Sequence, residues 1–286
     1  MTPAVRIASL HVYPIKSCAG LSVTTLRFDA LGPLDDRRWM IVDAQGEFVT
    51  QRDAPVLAQV RPARLDEGLH VLGPDRPALQ VSGRGGQRAS AYCWDDRCAG
   101  FDEGDLAAEW FSDLLRQSVR LLRFDSTAPR AASQNWVGAD HGRPGALTRF
   151  SDGYPLLVTS LASLAALNER LARAGEAPVS MTRFRPNVVL DGMEAFGEDM
   201  VDTLALTGTQ PGPVLRVVKP CTRCTVIEVD PQTARAQPGL LQVMAGFRAH
   251  PTLGGAVTFG QNAIVVDGLD GALRVGDALM PTYLWQ

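Results

Sequence analysis

Apolar and polar residues alternate along much of this chain, in short stretches broken by glycine and proline. Residues 5–12 (VRIASLHV) alternate weakly and predict a strand. Residues 21–28 and 39–43 read the same way, with Ala44-Gln45-Gly46 as a turn into Phe48-Val49-Thr50. Residues 57–65 and 68–72 continue the pattern, and strands at this spacing suggest a barrel or a curled sheet. The first helical period begins near Asp105, read as its N-cap, with Leu106, Trp110, Phe111 and Leu114 on one face.

Residues 126–149 carry no period and are rich in Ser, Ala, Pro, Gly and Asn, so they read as a connection between domains. A buried strand follows at 154–158. Thr159 or Ser160 then caps a second helix striped by Leu161, Leu164, Leu167 and Leu171. Further strands are expected at 187–190, 203–206, 215–219, 225–229, 256–259 and 264–267. The expectation is a mixed α+β, strand-rich chain: residues 1–125 as a first domain, 126–149 as linker, and 150–286 as a second strand-rich domain with a few helices.

Composition narrows the function classes. The 286 residues carry a net charge of −3, which argues against a general nucleic-acid binder. The 45% apolar content is that of a globular chain with a sizeable core. No apolar run approaches the roughly 18–20 residues of a membrane-crossing helix, and the N-terminus lacks a signal-peptide block. The expected location is therefore cytoplasmic, with no membrane partner. Of the 28 basic residues only Lys16 and Lys219 are lysines, so amine chemistry has few candidates.

Five cysteines (Cys18, Cys93, Cys98, Cys221, Cys224) in a chain with no export signal argue against a disulfide framework. Cys221-Thr222-Arg223-Cys224 is the strongest local constellation. The expected strand at 225–229 disfavours a thioredoxin-like site, where a helix would open. A zinc knuckle would need Cys93 and Cys98 as its second pair, and the spacing does not match ferredoxin-type cluster runs. Three readings stay open: that zinc knuckle, a pair of buried inert thiols, or a single exposed thiolate on a cofactor-bound metal, with Arg223 and Lys219 favouring the thiolate.

Tyr13-Pro14-Ile15-Lys16-Ser17-Cys18-Ala19-Gly20 follows a strand and offers an ammonium, a hydroxyl and turn N–H groups, which suits a phosphate. Arg37, Arg38 and Arg52 could add guanidinium forks. In Arg183-Phe184-Arg185-Pro186-Asn187, alternation would point Arg185 and Asn187 to one sheet face. Surface turns and a plain sheet edge are the plainer readings of these segments.

Taken in order, YPIKSCAG, RFRPNVVL, KPCTRCTVIEVDPQTA, FGQNAIV and RVGDALM resemble the MOSC family, and more closely its amidoxime-reducing branch. The resemblance implies an N-terminal MOSC β-barrel domain followed by the MOSC β-barrel domain proper. It implies a molybdenum cofactor, a pterin dithiolene holding Mo, with Cys224 as the protein ligand and Thr222 beside the metal. It implies that Lys16, Ser17 and Arg37 hold the phosphate and pterin end, with Arg185, Asn187 and Asn262 as further cofactor contacts. The implied activity is reduction of N-hydroxylated compounds, N–OH to N–H, with the metal as oxygen acceptor. A separate ferredoxin-, flavin- or cytochrome-type protein would deliver electrons, since no second redox module or anchor is read in the chain.

Two rivals are weighed against this. One is a cofactor-binding or sulfur-carrier protein using the Cys224 thiolate without turnover. The other is a pyridoxal-phosphate enzyme built on Lys16 or Lys219. The cofactor reading requires Lys16, Ser17 and Arg37 to converge with Arg185, Asn187 and Cys224 on one positively lined cleft. It also expects Cys221 to pack beneath the turn as a small apolar residue.

Overall fold

The alternating segment at the start of the chain forms the strand Val5–Val12, and that strand closes a barrel. The structure, a computed structural model, describes residues 5–65, 68–133, 146–208 and 212–284. Around the barrel run Val188–Asp191, Leu156–Ser160, Thr258–Asp267, Val214–Thr222, Val201–Leu206, Ala278–Tyr283 and Val5–Val12. The last returns antiparallel onto the first, with Leu10 facing Val188 and Arg6 facing Asp191. A short strand, Leu21–Val23, adds to the outer side of Val5–Val12. The barrel thus draws strands from both sides of the 126–149 connection. Its core mixes Val5, Ile7, Leu10, Val12, Leu26 and Phe28 with Leu156, Val188, Leu204, Leu215 and Leu279.

Residues between the first strand and the connection build two further antiparallel sheets. One orders Trp39–Asp43, Val119–Phe124, Asp96–Asp102 and Arg88–Cys93; the other, Arg61–Arg64, Leu69–Leu72 and Leu79–Val81. Helix α1, Asp105–Leu115, packs Ala107 and Phe111 into a core with Ile15, Trp39, Leu57, Leu69, Leu79 and Val119. Phe111 is fully buried, a contribution of about 1.5–3 kcal/mol. The chain is strand-rich, with three α-helices among the described residues.

Several expectations need correcting. Gly104 at φ 93 caps α1, and Asp105 is its first helical residue, placed where a carboxylate favours the helix dipole. Leu106 is 77% exposed, because the buried face runs through Ala107, Ala108 and Phe111. Residues 55–59 form a 3-10 turn led by Pro55, so the strand begins only at Arg61. Residues 258–267 are one strand, not two segments. Gly260 at φ +71 lets it pass a kink with backbone atoms close, since a Cβ there would lie 2.6 Å from the Val158 carbonyl. Thr225–Glu228 is a 3-10 turn rather than a strand. Burial of Ile227 beside Phe184, Leu167 and Phe259 overrides the β-branched pattern there. Within the connection, Arg130–Ala131 pairs with Leu147–Thr148, while residues 134–145, including His141, lie outside the described residues.

Helix α2, Leu161–Arg173, is the crossover between the parallel strands Leu156–Ser160 and Val188–Asp191. Ser160 is its cap and accepts from the Ser163 N–H. Leu167 and Leu171 are buried on its face, whereas Leu161 is 41% exposed. The Ser160 and Ser163 hydroxyls both donate to Oε2 of Glu198, at 3.0 and 2.7 Å. Glu198 is 1% exposed and its Oε1 has no partner. Burial pushes this carboxyl above the ordinary range, against the help of the serine hydroxyls. A raised native pKa contributes stability that is full below the unfolded value and is lost as pH rises through the native one. Glu198→Gln should therefore gain stability relative to the parent protein on going from acid to neutral pH. Urea unfolding at several pH values checks this, and a difference that stays flat with pH would refute it.

Candidate functional site

A cleft of about 520 Å³ opens between the barrel and the N-terminal sheets. Its walls include Lys16, Ser17, Arg37, Arg185, Asn187, Thr222, Cys224 and Asn262, so all eight sequence candidates reach one cavity. Lys16 and Ser17 sit in the turn after Val5–Val12, tied to the next sheet by the Ile15–Trp39 bridge and the Lys16 N–H to Trp39 carbonyl bond. Thr222 ends the strand Val214–Thr222, and Cys224 caps the 3-10 turn that follows. Asn262 lies in the strand Thr258–Asp267, opposite Lys219 on one side and Leu157 on the other. Arg52 also lines the cleft. Arg38 does not; it stacks on Trp39 beside Asp35, along a separate cavity.

Arg185 and Asn187 both line the cleft, but strand alternation is not the cause. Arg185 lies outside the ladder at φ 57, capping the 3-10 turn Met181–Phe184. Its side chain crosses to the N-terminal turn, where it donates to the Cys18 carbonyl at 2.5 Å. Ser17 at φ 68 and Arg37 at φ 46 share that left-handed geometry. Non-glycine residues rarely adopt it, and it concentrates where a site fixes side-chain direction.

The centre of the wall is an ion cluster that the sequence reading missed. Arg37 and Arg185 lie over the ring of Tyr13, at 4.4 and 4.3 Å from its centroid. Asp36 is 2% exposed and accepts from Arg37 at 2.5 Å, the Tyr13 N–H at 2.8 Å and Asn187 Nδ2 at 3.0 Å. Asn187 Oδ1 accepts in turn from Arg37 and from the Leu157 N–H. Burial, and next the Arg37 charge, push the Arg185 pKa down to about 10. Arg37 also suffers burial, but the Asp36 carboxylate holds its pKa above the usual value. Burial raises the Tyr13 phenol to about 12, against both guanidiniums. The signal for Asp36 was its place directly before Arg37 in the run Asp35-Asp36-Arg37-Arg38.

Lys16 is 6% exposed and donates to the Phe150 carbonyl at 2.8 Å and Asp152 at 2.5 Å. Asp152 also accepts from the Trp94 indole at 3.0 Å. Desolvation in the cleft would raise the Asp152 pKa, but Lys16, Trp94 and Arg37 together hold it well below the usual carboxylate range.

The four other thiols differ from Cys224, which is exposed. Cys221 was expected beneath the turn, yet it is half-buried on the cleft wall and accepts from Arg223 at 2.9 Å. It falls at a register shift between Pro220 and Thr222, which takes it out of the regular ladder. Cys93 and Cys98 are buried in an apolar core with Met40, Leu122 and Phe150. Burial drives the Cys18 thiol up to about 12, so it stays protonated. Among the described residues no group of three or more His, Cys, Asp or Glu is arranged to hold a metal ion.

The Asp36 cluster sets a clear expectation. Asp36→Ala removes the buried carboxylate that pairs with the largely buried Arg37 guanidinium and should cost about 3–5 kcal/mol of unfolding free energy. Asp36→Asn should cost less, because the hydrogen bonds to Tyr13 and Asn187 can persist. Urea denaturation of the three proteins measures both.

Two protein-family models match successive parts of the chain. Residues 4–118 match the MOSC N-terminal beta barrel domain and residues 146–280 match the MOSC domain. Human mitochondrial amidoxime-reducing component 1 is 31% identical, over 97% of this chain and 82% of its own. The mouse protein of that name is 32% identical over the same shares. Human molybdenum cofactor sulfurase is 27% identical over 85% of this chain, but only 28% of the sulfurase is covered. With matched domains in this order and that identity over nearly its whole length, the chain belongs to the MOSC family that includes the mitochondrial amidoxime-reducing components.

Proposed function

We propose that this protein reduces N-hydroxylated compounds, N–OH to N–H, at a molybdenum cofactor held in the cleft. The observation that carries the reading is the convergence of Lys16, Ser17 and Arg37 from one side with Arg185, Asn187 and Cys224 from the other on a single cavity. Its volume, about 520 Å³, lies within the range of cofactor pockets. The donor set also fits the group. An exposed thiol is a soft metal ligand, and the surrounding cations suit a phosphate. Arg223 Nε, on the cleft wall, is buried without a hydrogen-bond partner, and a polar ligand there would satisfy it.

Bound there, the cofactor supplies the redox chemistry. The chain supplies position and charge. Cys224 would hold the metal, with Thr222 beside it. Lys16, Ser17 and Arg37 would hold the phosphate and pterin end, and Arg185, Asn187 and Asn262 would line the remainder. Asp152 and the Phe150 carbonyl fix where the Lys16 ammonium points. Asp36 keeps Arg37 charged and pinned against Tyr13. Electrons would come from a separate ferredoxin-, flavin- or cytochrome-type protein. Among the described residues no helix is long and apolar enough to cross a membrane.

Similarity to the sulfurase supports a second reading, a cofactor or sulfur carrier without turnover. Protein from a molybdenum-competent host, assayed with an N-hydroxylated substrate and an artificial donor, separates the two. Turnover supports the reductase; bound Mo and pterin without turnover would overturn it.

Two variant series probe the ligands. Cys224→Ser should abolish Mo retention, whereas Cys221→Ser should keep much of it; equal loss by metal analysis would point to a shared role. Lys16→Ala should lower cofactor occupancy, and Lys16→Arg should restore it only in part, because a planar fork replaces a compact ammonium beside Asp152. Pterin fluorescence of the released cofactor gives the occupancy, and full occupancy in Lys16→Ala would remove Lys16 from the site.

A further inference from the structure

The turn between the strands Arg88–Cys93 and Asp96–Asp102 has only two residues, Trp94 and Asp95. Trp94 adopts φ 58. Tight hairpins that need a positive φ normally place Gly, Asn or Asp there, and a bulky residue is a strained choice. The side chain in that position is nonetheless fixed on three sides. Its indole N–H donates to Asp152 at 3.0 Å. The Arg52 guanidinium lies 5.0 Å from its ring, and Phe48 meets it edge-on at 5.2 Å. All three lie on the cleft with it.

Such fixing would be expected to bury an indole, yet Trp94 remains 48% exposed. A held but open aromatic surface on a cavity wall is a preorganised contact, with little rotamer freedom left to lose on binding. Apolar burial does not explain it, since the ring belongs to none of the buried clusters among the described residues. The chemistry it offers is stacking with another flat ring, offset or edge-on. Its polar edge is already committed to Asp152, so hydrogen bonding through the indole is not the free function.

We propose that Trp94 is the stacking residue of the cleft, binding a flat ring of the ligand held there; this assignment rests on the cofactor-dependent reading above. Two rings could meet it: the pterin of the cofactor, or the aromatic body of an N-hydroxylated substrate. In either case Arg52 and Phe48 are positioning residues that hold the indole in place.

The test has two arms and uses Trp94→Leu, which keeps apolar bulk, and Trp94→Phe, which keeps a ring but loses the N–H. In the first, carboxypterin is titrated into cofactor-free full-length protein and followed by fluorescence anisotropy. In the second, loaded protein is assayed for KM with benzamidoxime and with acetamidoxime. If the pterin is the partner, Trp94→Leu weakens carboxypterin about two- to tenfold and Trp94→Phe recovers most of the loss. If the substrate is the partner, carboxypterin binding is unchanged. Trp94→Leu then raises KM for benzamidoxime by a similar factor, with acetamidoxime unmoved and Trp94→Phe again recovering. Equal losses in both variants would assign the indole a structural role through Asp152 and overturn the proposal. No change in either arm would overturn it as well. Should the loaded parent protein reduce neither oxime, the reductase reading fails and the carboxypterin titration alone decides the role of Trp94.

Discussion

The Asp36 carboxylate is the charge on which the cleft depends. Two guanidiniums, Arg37 and Arg185, share the face-on environment of the Tyr13 ring and repel each other there. Without a neighbouring anion, burial would make that arrangement unfavourable. Asp36 accepts from the backbone of Tyr13, the side chain of Asn187 and the Arg37 guanidinium at once. It therefore links the N-terminal turn, the loop before Trp39 and the segment entering Val188–Asp191 through one buried group. Lys16 is handled differently, by a carboxylate that stands at the open side of the cleft. The wall thus has a centre where one buried carboxylate offsets one of two guanidinium charges, and a cation at its margin whose partner is exposed to solvent.

Backbone geometry reinforces the electrostatics. Ser17, Arg37 and Arg185 are all held in the left-handed region, and each lies on the cleft. Such positions persist only where surrounding hydrogen bonds over-determine them. Here the Arg37 N–H donates to Tyr13 and the Arg37 carbonyl accepts from Phe150. The Cys18 N–H closes back on Ile15 beside Ser17. The strain is distributed over three neighbouring points of one wall, which favours a wall that is formed before any ligand arrives.

How much of this was legible in the sequence follows from what each signal measures. The strand at residues 5–12 and the cap at Ser160 were readable, because alternation and capping are local. The segment 225–229 was misread as a strand, because its fate is set by Ile227 finding the core beside Phe184. Leu106 carried the right period but faces solvent, since small alanines form the contact face of α1. The candidate site residues were found through motif likeness and converge as expected. Tyr13, Asp152 and Trp94 were not found, because their roles arise from partners far away in the chain; Asp36 was missed although its ion-pair partner Arg37 is the next residue. Lys16 and Asp152 are 136 positions apart, and no local pattern encodes that pair.

The barrel closure carries a consequence for how the chain reaches this form. Val5–Val12 pairs with Ala278–Tyr283 on one edge and Val188–Asp191 on the other. The strand is thus satisfied within the barrel only when segments far away along the chain reach it. Until then its apolar face, with Ile7, Leu10 and Val12, has no barrel to enter. Contacts of such long sequence separation fold slowly and leave an unpaired edge open to wrong partners meanwhile. The N-terminal sheets draw on nearer segments and can assemble earlier. The cleft, which needs both, is completed only once the barrel has closed. Ligand-binding capacity is therefore a cooperative property of the whole chain, gained only when the long-range pairings of the barrel are in place.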